Sequence, residues 1–300
     1  MAFSTGKKTT ESGPIKRYIG VASCYVLGVN PNAKELSEIY GREVDNVPQY
    51  TSVKEVNGKN VETIRIDFYL KPDTKLYEDV DFVTKISFFL RNEHRFNSPD
   101  KEVRKIQVID KYGRTAWATK EELKNKIIPQ YANGPAKIDS DYRPLYVGEE
   151  ELTSFIKNYL NIPNLEIYVK KTGTYIPNPN PSECEARLDD IESYFKENIA
   201  ELKTILSLQP ENKVKVLIGV RTADDGKLYQ DVYSNMTLKN GVRTYTKLAQ
   251  NVEESKSNGR YSNTEFVCED LVEYAPKPTN FNPIESTEAT STDDSDLPWD

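Results

Sequence analysis

Apolar and polar residues alternate with a period of two over several stretches of this chain. The clearest is 62–71, where Ile64, Ile66, Phe68 and Leu70 take one face and Arg65, Asp67, Tyr69 and Lys71 the other. That is the pattern of a half-buried strand in an antiparallel sheet. Strands are also predicted at Tyr18–Val29, 80–90, 213–222, 228–236 and 264–274. The runs Val103–Ile109 and Arg114–Thr119 flank Asp110-Lys-Tyr-Gly113, which predicts a hairpin.

Helical signals are fewer. Asn32 with Glu35 three residues on, and Gly41 beyond, predicts a short capped helix. Thr119 with Glu122 predicts a second, through about Lys126. Leu152, Phe155, Ile156, Tyr159 and Leu160 form the apolar stripe of a helix over 149–161. A long amphipathic helix is predicted over 183–208, after the Pro/Asn run 176–181, and another near 244–255. Between 127 and 147 the chain reads as a long loop. Strands come before and after a helical middle, without βαβα alternation. The expected fold is α+β, mainly β: a β-barrel or curved sheet spanning 17–275, with a helical insertion at about 148–208.

Charge changes this picture at the two ends. The 300-residue chain carries a formal charge of −7. Phe281–Asp300 contains Glu285, Glu288, Asp293, Asp294, Asp296 and Asp300 with no Lys or Arg, so the body before it is almost neutral. Residues 276–300 are expected to form a disordered acidic tail. Its apolar tip, Leu297-Pro298-Trp299, points to partner binding, since a solubility tail has no need of one. Residues 1–16 read as a flexible basic arm. No apolar run approaches the roughly 20 residues of a membrane span, and the N-terminus has no signal-peptide pattern, so an intracellular protein with no membrane partner is expected.

Catalytic signals are weak. The Gly-rich phosphate loops, zinc-protease motifs and nucleophile elbows are missing. Cys24, Cys184 and Cys268 are widely spaced, and His94 is the only histidine. No metal or cofactor is expected, and His94 reads as a solvated loop residue. Asp224-Asp225 could be imagined as a nuclease metal pair, but Asp-Asp-Gly between strands is better explained as a turn.

Binding signals are stronger. Residues 101–146 hold ten Lys or Arg against six acids, with five aromatics among them. Cations hold phosphates, and aromatic faces stack bases whatever their sequence. Trp117, between Thr115 and Thr119, reads either as an exposed stacking platform or as a lid on a barrel end. Tyr69, between Arg65 and Lys71, is a second candidate platform, or part of an ordinary solvated face.

The tail Asp293-Asp-Ser-Asp-Leu-Pro-Trp299 resembles the acidic tips of single-stranded DNA-binding proteins of tailed bacteriophages. Gln107–Lys120, Asn133–Leu145 and the strand–turn–strand Val214–Asp231 are similar to the version found in phages of gut bacteria, and the likeness covers most of 15–275. The resemblance implies an oligonucleotide-binding (OB-like) barrel. It also implies a tail that competes with DNA and recruits replication proteins, and self-association through Lys7-Lys8-Thr9-Thr10. Two features depart from it. Asp300 follows Trp299, where the family tip ends on its aromatic residue, and the zinc module of some members has no counterpart.

The expectation is therefore a non-enzymatic, sequence-nonspecific single-stranded DNA-binding protein of phage replication, recombination and repair, in the host cytoplasm. Tyr69, Tyr112, Trp117, Tyr131, Tyr142 and Tyr146 would stack bases. Arg65, Lys71, Lys111, Arg114, Lys137 and Arg143 would hold phosphates. Asp293, Asp294, Asp296, Leu297, Pro298 and Trp299 would bind partners. The rival reading is a structural or packaged phage protein that uses the tail for protein contacts. A nuclease ranks last.

Overall fold

A computed structural model of the chain describes residues 15–73, 82–125, 127–129, 136–138, 142–169, 171–185, 211–222, 228–235, 257 and 264–268. The strands are β1 (Ile15–Val29), β2 (Thr51–Val56), β3 (Lys59–Pro72), β4 (Thr84–His94), β5 (Ile106–Ile109), β6 (Thr115–Ala118), β7 (Ile127–Pro129) and β8 (Ala136–Ile138). They continue with β9 (Arg143–Pro144), β10 (Tyr146–Val147), β11 (Glu166–Val169), β12 (Thr174–Pro177), β13 (Lys213–Thr222), β14 (Leu228–Asn235) and β15 (Thr264–Cys268). Three α-helices, α1 (Ala33–Tyr40), α2 (Lys120–Lys124) and α3 (Glu149–Tyr159), and a 3-10 turn at Pro181–Cys184 complete the described elements.

The fold is mainly β. Its principal sheet has the order β10-β4-β3-β1-β13-β14, antiparallel throughout, with β2 on β3 and β15 parallel to the first residues of β1. The alternation of β3 sets its inner face: Ile64, Ile66, Phe68 and Leu70 are all 2 % exposed or less. α3 lies across that face. Its stripe of Leu152, Phe155, Ile156 and Tyr159 is buried against the sheet, and the rings of Phe68 and Phe155 meet at 4.5 Å. Burying a side chain of this size contributes about 2–3 kcal/mol, so the helix is held mainly by this stripe.

The other face of β3 is covered too, which corrects the expected half-buried strand. Asn32 and Glu35 form the reciprocal capping box that starts α1, and Gly41 ends it with φ +61°. Gly28 lets the helix come close, since a Cβ there would lie 3.2 Å from Ile39 Cδ1. Leu36 of α1 then packs with Tyr69 and Val83, and Tyr40 meets Tyr69 edge-on at 6.0 Å.

The sheet curls so that its two ends approach. The Thr84 hydroxyl on β4 donates to the Gln230 carbonyl on β14 at 3.5 Å, but no ladder joins these strands among the described residues. Gln230 also repairs a gap. β1 pairs with β13 only from Gly20 onward, and at Tyr18 the Gln230 amide takes over. Gln230 Oε1 accepts from Tyr18 N at 2.5 Å, and Nε2 donates to the carbonyls of Tyr18 (2.9 Å) and Gly219 (3.0 Å).

Several expected boundaries move. β1 starts at Ile15, so the last two residues assigned to the arm belong to the sheet. Residues 127–129 and 136–138, within the expected loop, pair as β7 and β8. Pro181–Cys184 is one 3-10 turn and Glu185 is extended, so no helix runs on from 183. The rest of that helix, the helix near 244–255, the Asp224–Gly226 turn, residues 1–14 and the tail lie outside the described residues. No helix among the described residues is long and apolar enough to cross a membrane.

Replacing Gln230 by Leu keeps the bulk and orphans three buried backbone groups. Each net hydrogen bond contributes about 1 kcal/mol, so the variant should lose about 3 kcal/mol. At about 2–4 °C per kcal/mol for a chain of this size, thermal unfolding should move down by about 6–12 °C. An unchanged midpoint would remove the amide's assigned role.

Candidate nucleic-acid interface

The outer face of the β3–β4 pair is built from three cross-strand partners: Arg65 with Phe89, Asp67 with Ser87 and Tyr69 with Lys85. Asp67 sits at the centre, fully buried. It accepts from Arg65 Nε at 2.7 Å and Lys85 Nζ at 3.1 Å. Its backbone is latched to Asn30, which has φ +43°: the Asn30 side chain accepts from Asp67 N at 2.7 Å and donates to the Arg65 carbonyl at 2.9 Å. Burial alone would raise the pKa of this carboxyl. Hydrogen bonds from Arg65 and Ser87, with the charge of Lys85, outweigh that and hold it below the ordinary aspartate value. Two cations around one carboxylate leave the cluster with one net positive charge.

Tyr69 is not an open platform. At 3 % exposure its ring lies under α1, and burial pushes its phenol pKa up. The exposed ring on this face is Phe89, 52 % accessible, with the Arg65 guanidinium 5.8 Å from its centroid. The residue-by-residue alternation from Phe88 and Leu90, which point inward, could have revealed it. Gly148, with φ +93°, fixes this part of β4 against the start of α3, because a Cβ there would lie 2.0 Å from the Phe89 carbonyl oxygen. Arg91, one step along the face, is exposed and pairs with Glu93 at 3.4 Å. Lys71 lies at the other end of β3, half-buried and opposite Tyr25.

Lys111, Tyr112 and Arg114 do come together, on the β5–β6 turn. Asp110 organises it: one carboxylate oxygen accepts from Tyr112 N (3.0 Å) and Arg114 N (2.8 Å), the other from Arg114 Nε (2.5 Å). Lys111 Nζ and the Arg114 guanidinium lie 5.1 Å and 5.2 Å from the Tyr112 ring centre. The turn rests on α3, where Lys157 donates to the Tyr112 carbonyl at 3.0 Å. Lys111 also pairs with Glu185 at 3.0 Å.

Trp117 stands opposite Gln107 on β6 and is 39 % exposed. One of its Thr neighbours, Thr119, caps α2 by accepting from Glu122 N at 3.1 Å. Tyr142 is half-buried and packs on Val108 and Ala118. Two of the expected contacts are engaged within the body. Arg143 forms a double ion pair with Glu149, which is fully buried. Tyr146 is 9 % exposed and stacks on His94 at 4.9 Å. That also corrects the reading of His94, which is half-buried and bonds the Leu145 carbonyl at 3.0 Å. Lys137 lies on β8 opposite Ile128. Tyr131 and the tail residues Asp293, Asp294, Asp296, Leu297, Pro298 and Trp299 lie outside the described residues.

Beyond β4 the chain adds a further ring and cation. Phe96 is 43 % exposed, and the Arg104 guanidinium sits 3.5 Å from its ring centre. Sequence reasoning assigned no role to Phe96. The described residues contain no group of three or more His, Cys, Asp or Glu able to hold a metal ion.

Asp67 carries a pH signature. Its pKa is depressed in the folded chain, so its contribution is complete above about pH 4 and is lost as pH falls through the lower folded-state value. Asp67→Asn should cost about 2 kcal/mol at neutral pH and flatten the acid limb of stability against pH. Parallel acid limbs for the two proteins would contradict the assignment.

No protein-family model, curated protein or solved structure matches this chain.

Proposed function

We propose that the protein binds single-stranded DNA without sequence preference, by stacking bases on exposed rings of its sheet surface and holding phosphates with the cations beside them. The observation that carries this reading is Phe89. A ring 52 % exposed in mid-strand costs solubility and packs no core. With Arg65 beside it and Arg91 next along the strand, it has the ring-plus-cation chemistry that single strands bind. Phe96 under Arg104 repeats the combination, and Trp117 adds a half-exposed ring.

The connectivity supports an OB-type barrel. Five long strands, β1, β3, β4, β13 and β14, carry a helix between the third and fourth, α3. In such a barrel, oligonucleotides lie on the face of the second and third strands, which here are β3 and β4. The acidic tail would compete with DNA as a tethered anion and recruit replication proteins through Leu297-Pro298-Trp299. The basic arm would support self-association. The setting would be phage DNA replication and recombination in the host cytoplasm, with binding rather than turnover as the activity.

Anisotropy of a labelled thymidine oligomer tests this. The full chain should bind at low salt, with log affinity falling against log salt by about 0.7 per phosphate contacted. Phe89→Ala should weaken binding about tenfold, within the 1–3 kcal/mol of one stacked base, and leave the unfolding midpoint near the parent's. Deleting 276–300 should tighten binding at low salt. No binding at any salt would favour a structural protein. Wild-type binding by Phe89→Ala would move the interface elsewhere.

A further inference from the structure

β2 leaves one edge of the principal sheet open. Among the described residues it pairs only with β3, from Thr51 opposite Ile64 to Val56 opposite Lys59. Arg65 N donates to the Tyr50 carbonyl at 2.7 Å, which sets the phase of the ladder. Tyr50, Ser52, Lys54 and Val56 therefore turn their backbone groups toward β3. The Asn57-Gly58 turn needs the same phase, with Val56 and Lys59 as its closing pair. Thr51, Val53 and Glu55 turn their N–H and C=O groups the other way, off the sheet. None of the three finds another backbone partner among the described residues. Their side chains are exposed, and Val53 is 64 % accessible.

An open row of backbone donors and acceptors is a template for one more strand. Which strand fits is decided by the edge's own sequence. A second copy added antiparallel is related to the first by a two-fold axis normal to the sheet, so every contact occurs twice. Centring that axis on Lys54 or Glu55 sets like charges directly opposite each other, which destabilises a sheet. Centring it on Thr51 or Ser52 leaves Glu55 beyond the paired strand. Centring it on Val53 pairs every outward-facing residue. Val53 then meets Val53 of the second copy, Thr51 lies opposite Glu55, and Ser52 lies opposite Lys54. The exposed valine is covered, the threonine hydroxyl gains a carboxylate to donate to, and no like charges meet.

We infer that β2 is a self-association edge, along which two copies of this chain form an antiparallel ladder centred on Val53. The inference does not depend on the DNA-binding reading, and its contact is separate from the basic arm. Each copy brings a strand of six residues. Such a contact falls below the roughly 1,200 Å² of a stable interface, so the pair forms reversibly.

Sedimentation of the full chain without DNA, from about 1 μM to about 1 mM, should show a monomer–dimer equilibrium. Val53→Pro should raise the dimer dissociation constant at least about thirtyfold, because the bonds donated by Val53 N–H across the axis are lost. That N–H makes no bond to β3, so the unfolding midpoint should stay near the parent's. Val53→Lys leaves the backbone unchanged and should also dissociate the pair, by setting two charges opposite each other. Under mild oxidation Val53→Cys should give a disulfide dimer absent from the parent, since the paired Cα atoms lie about 5.5 Å apart. Lys54→Cys should not, its two copies standing about 8 Å apart. A chain monomeric at every concentration would overturn the inference and leave the edge to an extended segment of another protein. A dimer that Val53→Pro and Val53→Lys both leave intact would place the self-contact elsewhere. Cross-linking by Lys54→Cys and not by Val53→Cys would contradict the register.

Discussion

The structure depends on β3 being buried on both faces. α3 presses Phe155 onto one side, where Phe68 and Phe88 complete a three-ring cluster with centroids 4.5–5.7 Å apart. α1 covers the other side around Tyr69, and Asp67 fills the remaining space as a buried carboxylate held by Arg65 and Lys85. The exposed part of this face lies where α1 does not reach, at Phe89 and Arg91 and on toward Phe96, and the proposed DNA contact falls there.

Much of the framework was legible because it is local. The alternation of Ile64, Ile66, Phe68 and Leu70, the capping boxes at Asn32 and Thr119, and the Leu152–Tyr159 stripe each specify an element within a few residues. The β2–β3 hairpin carried an equally local signal that went unused. Asn57 and Gly58 sit between its strands with φ +51° and +73°, the residues a two-residue hairpin turn prefers.

What was not legible is which charges are already paired. Arg65, Lys111, Arg114 and Arg143 were expected to hold phosphates, and each makes an ion pair with an acid of the body. The partner of Arg65 is two residues along the same strand, and that of Arg143 opens the next helix. Their pairing follows from packing and not from composition. Likewise Tyr69 reads as a polar-face residue until α1 is placed over it. A near-neutral body is thus largely self-compensated, and in the proposed reading non-specific attraction would come from smaller local excesses: the +1 cluster around Asp67 and Arg104 on Phe96. The proposed binding would then rely on stacking as much as on charge.

The most direct measurement follows Trp117 during a DNA titration. Trp117 and Trp299 are the chain's two tryptophans, so Trp299→Phe in the full chain leaves Trp117 as the sole reporter. At low salt, the account predicts saturable quenching by a thymidine oligomer, reversed as salt is raised. Constant fluorescence, with no anisotropy change of a labelled oligomer in the same solution, would contradict it.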